Sequence, residues 1–159
     1  MIMYWKELIV NWGESDPFGL VYFPRMLGWF NETEHDMFRA LGYPVNKMVD
    51  EDRTAFVMGE IHFRFIGPAG YGERVRSTIT LAKMGKSTLH WNCKAMNADS
   101  GAIITEGRAI RIYAKIQEDG NLKSELIPDD IRHMLTAPGK LDHIETDEFN
   151  DTIDSNGDD

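Results

Sequence analysis

The sequence predicts an α+β fold: a five-stranded antiparallel sheet wrapped around one long helix, with a short helix near the carboxyl end. Three observations carry that expectation. Apolar residues recur at helical spacing between about Pro24 and Leu41, which places them on one face of a helix. Beyond the helix the pattern changes to alternation, the period of strands with one buried face. Clusters of Gly, Pro, Asp and Asn at Gly67–Gly70, near Gly85, at Asp99–Gly101 and at Asp119–Asn121 interrupt the alternation where the chain can reverse.

Each element has its own justification. An opening strand is expected from about Trp5 to Trp12. In Asp16-Pro17-Phe18-Gly19, Asp stands first, Pro second and Gly fourth, the preferences of a type I turn. Pro24 suits a first helical position, and Met26, Leu27, Phe30, Met37, Phe38 and Leu41 form a stripe that Gly42 and Pro44 end. In the next strand Val57, Ile61, Phe63 and Phe65 point one way, and Glu60, His62 and Arg64 the other. Val75, Ile79 and Leu81 then face inward, with Arg74, Arg76, Thr78 and Thr80 outward. Leu89, Trp91, Cys93 and Ala95 form the following inward set. A long strand from Ile104 to Ile116 puts Ile110 and Ile112 on one face, and a helix spans about Pro128 to Thr136. So small a sheet cannot enclose the long helix on every side, and the apolar surface left over calls for a second copy.

The chain has 159 residues, 42% of them hydrophobic, which fits one domain over residues 1–139 and an acidic tail over 140–159. From Leu141 onward there are eight acids and no Lys or Arg, so the net charge of −9 becomes −1 without that stretch. No nucleic-acid partner is expected, while a near-neutral body can hold a basic patch for a phosphate-bearing ligand. A single Cys excludes an intrachain disulfide framework. Met1–Val10 holds Lys6 and Glu7 inside its apolar run and has no small-residue cleavage pattern, so it is not read as a signal peptide. A cytoplasmic setting is expected. No stretch approaches the ~20 apolar residues of a membrane span, so no membrane partner is expected either.

Asp16 is the residue that points to chemistry. It stands in a tight turn just ahead of a helix whose first amides lack intrahelical partners and carry the positive end of the dipole. A carbonyl held on those amides would meet a carboxylate able to attack it or to activate a water. A thiol with a pKa of roughly 8.5 leaves as thiolate without help from an acid, so a site with one carboxylate suits a thioester. Local turn formation also accounts for Asp16, and the residues by themselves leave both readings open.

The longer run Glu14-Ser15-Asp16-Pro17-Phe18-Gly19-Leu20-Val21-Tyr22-Phe23-Pro24, followed by Trp29 and Phe30, resembles the Asp-dependent hotdog-fold acyl-CoA thioesterases, the 4-hydroxybenzoyl-CoA thioesterases nearest. The resemblance continues through Arg111-Ile112-Tyr113-Ala114 to Ile127-Pro128-Asp129-Asp130-Ile131 and covers roughly Trp5 to Leu135. It implies a hotdog fold, no cofactor, and dimers or tetramers with sites at subunit interfaces. It implies hydrolysis of an aromatic acyl-CoA such as 4-hydroxybenzoyl-CoA, with Asp16 as nucleophile or general base and the Phe23 amide as oxyanion donor. Gly19 and Tyr22 belong to the substrate-binding segment, and Asn31 takes the place of an acid that would meet a phenol hydroxyl. Lys83 and Lys86 correspond to a basic turn that holds coenzyme A phosphates, although Met84 and Gly85 stand where further basic residues would be.

Competing constellations are weaker. Gly85-Lys86-Ser87 ends like a P-loop, but the required upstream Gly is Thr80 and no helix follows. Glu32 and Glu34 on the long helix are rival carboxylates, or a solvated face. His62, His90, His133 and His143 lack metal-ligand spacing, so no metal is expected, and Cys93 lies on the apolar face of a strand. Gly-x-Ser-x-Gly is absent. A broad short-chain acyl-CoA or acyl-carrier-protein thioesterase is the alternative within the family. A non-catalytic acyl-binding or scaffold protein is the alternative outside it.

Overall fold

Helix α1 (Phe23–Ala40) organises the protein. Its buried residues Met26, Trp29, Phe30, Thr33, Glu34, Met37 and Phe38 fall three or four apart and make one continuous face. That face packs on the sheet, where the Thr33 hydroxyl donates to Trp29 O at 2.6 Å and meets Ser77 Oγ at 2.7 Å. This buried polar link fixes how the helix sits on the strand beneath it. The computed structural model describes residues 2–136, so the acidic tail expected at 140–159 lies outside the described residues.

The sheet consists of β1 (Met3–Ile9), β2 (Thr54–Phe65), β3 (Arg74–Met84), β4 (Thr88–Asn97) and β5 (Ile103–Ile116), joined antiparallel in the order β1-β3-β4-β5-β2. A three-residue strand, β6 (Leu122–Ser124), pairs with the end of β5 and makes six strands where five were expected. It is too short and too exposed to leave an alternating signal. An antiparallel sheet in this order, laid on one long helix, is the hotdog fold. The short final helix is α3 (Asp129–Thr136).

Three expectations need correction. The opening strand ends at Ile9, and Trp12 instead begins a 3₁₀ turn over Trp12–Glu14, where Asn11 and Glu14 cap each other. In β2 the register slips between Met58 and Glu60, so Gly59 is a bulge that reverses the facing of the strand. Phe56, rather than Val57, therefore joins Ile61 and Phe63 against the core. A short helix, α2 (Val45–Asp50), follows Pro44 where none was anticipated, and its Met48 is buried in the main core. Ile110 and Ile112 do share a face, but Ala109, Arg111 and Tyr113 are the β5 residues buried on the other one. Among the described residues no helix is long and apolar enough to cross a membrane.

Candidate active site

The turn at Asp16 closes as its residue types require. The Gly19 N–H donates to Asp16 O at 3.0 Å, and Gly19 adopts φ +78°, a conformation that favours glycine. Asp16 Oδ1 accepts the N–H groups of Phe18 at 2.8 Å and Leu20 at 3.2 Å, so one carboxylate oxygen is anchored by its own loop. No partner for Oδ2 is found among the described residues. The Tyr22 N–H donates to Glu14 O at 2.9 Å, and Ser15 pairs with Val21, which returns the chain from the turn to the head of α1.

Apolar burial holds this loop in place alongside its own hydrogen bonds. Val21 is buried in a cluster with Val10, Met26, Trp29, Ala69, Val75, Ala95 and Ile104. Fully burying a valine- or leucine-sized side chain stabilises by about 1.5–3 kcal/mol, against about 0.5–1.5 kcal/mol for a typical hydrogen bond. The Val21 N–H donates to Ala69 O at 2.8 Å, tying the loop to the segment that leads into β3.

Phe23 is the first residue of α1, and Pro24 behind it has no N–H to offer. Among the described residues no acceptor meets the Phe23 amide, and no side chain caps the helix at Tyr22. The head of α1 thus presents an open donor next to the segment that carries Asp16. Around it lie exposed rings: Tyr22 and Phe23 with centroids 5.4 Å apart, and Phe23 edge-on to Phe65 at 5.5 Å. Phe18 is 87% exposed. Exposed apolar rings thus gather at this end of the chain.

Asn31 lies two turns along α1, where the Arg111 Nη2 donates to its Oδ1. The same nitrogen meets Glu34 Oε1 at 2.9 Å, and Nε donates to Glu34 Oε2 at 3.3 Å. Glu34 and Arg111 are both buried, and the guanidinium lies over the Phe30 ring at 5.1 Å. Burial pushes the Glu34 carboxyl up to about 7, opposed by the charge and hydrogen bonds of Arg111. Glu32 instead makes a half-exposed ion pair with Lys6 at 2.8 Å. Neither helical glutamate is placed as an open carboxylate. Burial lowers His35, and burial raises the Cys93 thiol well above its ordinary range, which suits an inert buried thiol.

Lys83 and Lys86 are exposed at the β3–β4 turn. They stand at the far end of β3 from the Asp16 loop, a separation of about 30 Å along the strand. The chain by itself therefore brings Asp16, Gly19, Tyr22 and Phe23 together but leaves the two lysines apart from them. Sequence reasoning missed Arg132 of α3, whose Nη2 donates to Gly85 O at 2.6 Å and Lys86 O at 2.8 Å. It also missed the Arg111–Glu34 pair, for which an arginine at an inward strand position was the available signal. A hollow of about 270 Å³, lined by Thr78, Thr80, Asn92, Lys94 and Glu106, lies on the sheet face away from α1 and includes none of the Asp16 turn.

The fold is shared with several solved structures at low identity. A 1,4-dihydroxy-2-naphthoyl-CoA thioesterase from Synechocystis superposes with a TM-score of 0.78 at 15% identity, covering 87% of this chain and 99% of that one. A gentisyl-coenzyme A thioesterase gives 0.72 at 21% identity, covering 80% and 98%. The 4-hydroxybenzoyl-CoA thioesterase of Pseudomonas sp. strain CBS-3 gives 0.73 at 17%, covering 84% and 99%. No curated protein matches the sequence. The thioesterase-like superfamily model matches residues 10–135, a span that includes the Asp16 turn, the whole of α1 and strands β2 to β6. The chain belongs to the thioesterase-like superfamily and is a thioester hydrolase on the hotdog fold.

Proposed function

We propose that the protein hydrolyses an aromatic acyl-CoA, with Asp16 as the catalytic carboxylate and the Phe23 amide as the oxyanion donor. The observation that carries this reading is the pairing of a carboxylate anchored through one oxygen with an open amide at a helix head. As a general base, Asp16 takes a proton from water while the water oxygen bonds to the thioester carbon. As a nucleophile, it forms an acyl–aspartyl anhydride that water then cleaves. In either course the carbonyl oxygen gains negative charge against the Phe23 N–H and the helix dipole, and the C–S bond breaks to release thiolate. The hydroxyaromatic acyl-CoA thioesterases among the structural relatives favour an aromatic acyl group. An aliphatic acyl-CoA or acyl-carrier-protein substrate is the second reading.

Lys83 and Lys86 enter as the contact for coenzyme A phosphates. Their distance from Asp16 within one chain supports a site completed by the lysines of a second copy, and the exposed apolar rim around Phe23 supports a homo-oligomer of hotdog subunits. The test is release of free CoA thiol from 4-hydroxybenzoyl-CoA and from a short aliphatic acyl-CoA, by the native protein and by Asp16→Asn. Asparagine keeps the Oδ1 acceptor of the turn and removes the charge, so the fold is retained. A loss of about a thousandfold or more in kcat is expected. Undiminished turnover in the variant would remove Asp16 from the chemistry. Binding without turnover by the native protein would favour an acyl-binding role.

A further inference from the structure

Ser77 and Thr78 are neighbours in β3 and face opposite ways. Ser77 meets Thr33 on α1, so Thr78 belongs to the outer face of the sheet, where it lines the hollow of about 270 Å³. Thr78 is 7% exposed, yet its hydroxyl has no hydrogen-bond partner among the described residues. Polar groups so well covered are normally satisfied, and here only a molecule in the hollow can supply the partner.

The strand register sets further polar groups beside it. Thr78, Lys94, Glu106 and Arg64 form one row across β3, β4, β5 and β2, while Asn92, Arg108 and His62 belong to the next. Three strand spacings give the first row a length of about 14 Å. A second hollow, of about 300 Å³, reaches His62, Arg64 and Arg108 and shares Asn92 and Glu106 with the first. Among the described residues, neither Lys83, Lys86 nor any part of the Asp16 turn lines either hollow.

The charges along these rows are unbalanced. Arg39, Arg74, Arg76 and Arg111 each lie within 3.3 Å of a carboxylate. Arg64 and Arg108, both exposed, have no such partner among the described residues, although Glu106 stands opposite Arg64 in the register. Glu106 lies instead 3.9 Å from Lys94. Two forked donors a diagonal step apart suit phosphate oxygens, and an anion between them relieves their repulsion. Glu106 opposes a bare anion but accepts from hydroxyl groups, and Asn92 and Thr78 can each donate or accept. A row this long with this mixture of groups calls for a ligand that carries both phosphate and hydroxyls.

We infer that the outer face of the sheet binds a nucleotide, with its phosphates on Arg64 and Arg108 and its ribose hydroxyls on Glu106, Asn92 and Thr78. Ribose and phosphate are common to a free nucleotide and to the nucleotide portion of coenzyme A, and both are ligands of this class. The site goes beyond the thioesterase reading and stands without it, since it uses neither Asp16 nor the head of α1.

The test is calorimetric titration of the full chain carrying Lys83→Gln and Lys86→Gln, which removes the contact proposed for coenzyme A. The probes are ADP, adenosine 3′,5′-bisphosphate and inorganic pyrophosphate. Saturable binding of a nucleotide is expected, and the tighter of the two identifies the source as a free nucleotide or as coenzyme A. Arg64→Gln and Arg108→Gln, at exposed positions that leave the fold intact, are each expected to weaken nucleotide binding about tenfold. Thr78→Val keeps the side-chain shape and should weaken the nucleotides about threefold while leaving pyrophosphate unchanged. No saturable nucleotide binding would overturn the inference, and a change of oligomeric state in Arg108→Gln alongside it would give this face to a second copy. Binding that is unchanged in both arginine variants would also overturn it, by placing the ligand elsewhere. Pyrophosphate bound as tightly as the nucleotides, with Thr78→Val without effect, would overturn the assignment of the hydroxyls.

Discussion

Arg111 meets Glu34 side-on, Nη2 to Oε1 at 2.9 Å and Nε to Oε2 at 3.3 Å, across 77 residues of sequence and almost out of contact with water. Taking two charges from water costs several kcal/mol per ion, and only close, forked geometry offsets it. The pair therefore behaves as a unit. Removing one member should harm the fold far more than removing both.

Arg111→Met is expected to destabilise the protein by about 3–5 kcal/mol, because the Glu34 carboxylate is left buried alone. Adding Glu34→Gln to it should recover most of that loss. Urea unfolding of the two single variants and the double, at one fixed protein concentration, measures the coupling. Additive losses would show that the two side chains do not depend on each other.

The raised Glu34 carboxyl also sets a pH dependence. Its folded value of about 7 lies above the ordinary 4.5, so between these values the folded chain holds a proton that the unfolded chain has lost. Stability from this group is fully present below about pH 4.5 and declines as pH rises through 7, by roughly 3 kcal/mol in all. Glu34→Gln carries no such proton. Melting temperatures of the two proteins from pH 5 to 8 should shift in favour of the variant as pH rises, and a constant difference would contradict the assignment.

The role given to the Phe23 amide can be separated from its ring. Phe23→Ala keeps the N–H and trims exposed apolar surface, so turnover should change little. Phe23→Pro removes the N–H at a first helical position, where proline is tolerated and the preceding Tyr22 is already extended. A fall of about 10²–10³ in kcat is expected for the proline variant, with KM less affected. Equal kcat in the alanine and proline variants would place the oxyanion elsewhere.

Gly107 tests the packing of β2 on β5. A Cβ there would stand 2.2 Å from Phe63 Cδ1 and 2.3 Å from His62 O, and the backbone oxygen cannot yield as a side-chain tip could. Gly107→Ala should cost about 1–3 kcal/mol in thermal or urea unfolding. An unchanged midpoint would mean that the two strands separate there without penalty.

The parts of this fold that repeat were legible, and the parts that act through a single residue were not. α1 was readable from a stripe running from Met26 to Phe38, and the inward residues of β3 and β4 from plain alternation. The Asp16 turn was readable because Asp, Pro and Gly each fill a position with its own stereochemical demand. α2 has six residues, too few to display a period, and Gly59 inserts one residue that reverses every assignment before it. Arg111 and Glu34 lie on elements whose pairing depends on how the sheet meets the helix, and no local spacing encodes that. Asn31 was singled out by the family resemblance alone; its partner Arg111 is delivered by three-dimensional packing.

Arg132 gives the carboxyl-end helix a task at a distance from its own sequence. By donating to Gly85 O and Lys86 O, with the Ile127 N–H on Lys86 O at 2.8 Å, α3 and its lead-in brace the β3–β4 hairpin from behind. The lysines at that hairpin inherit their rigidity from a segment some forty residues downstream. A chain cut before Ile127 would retain every residue assigned to catalysis or to phosphate contact, yet present its cations on a loosened tip.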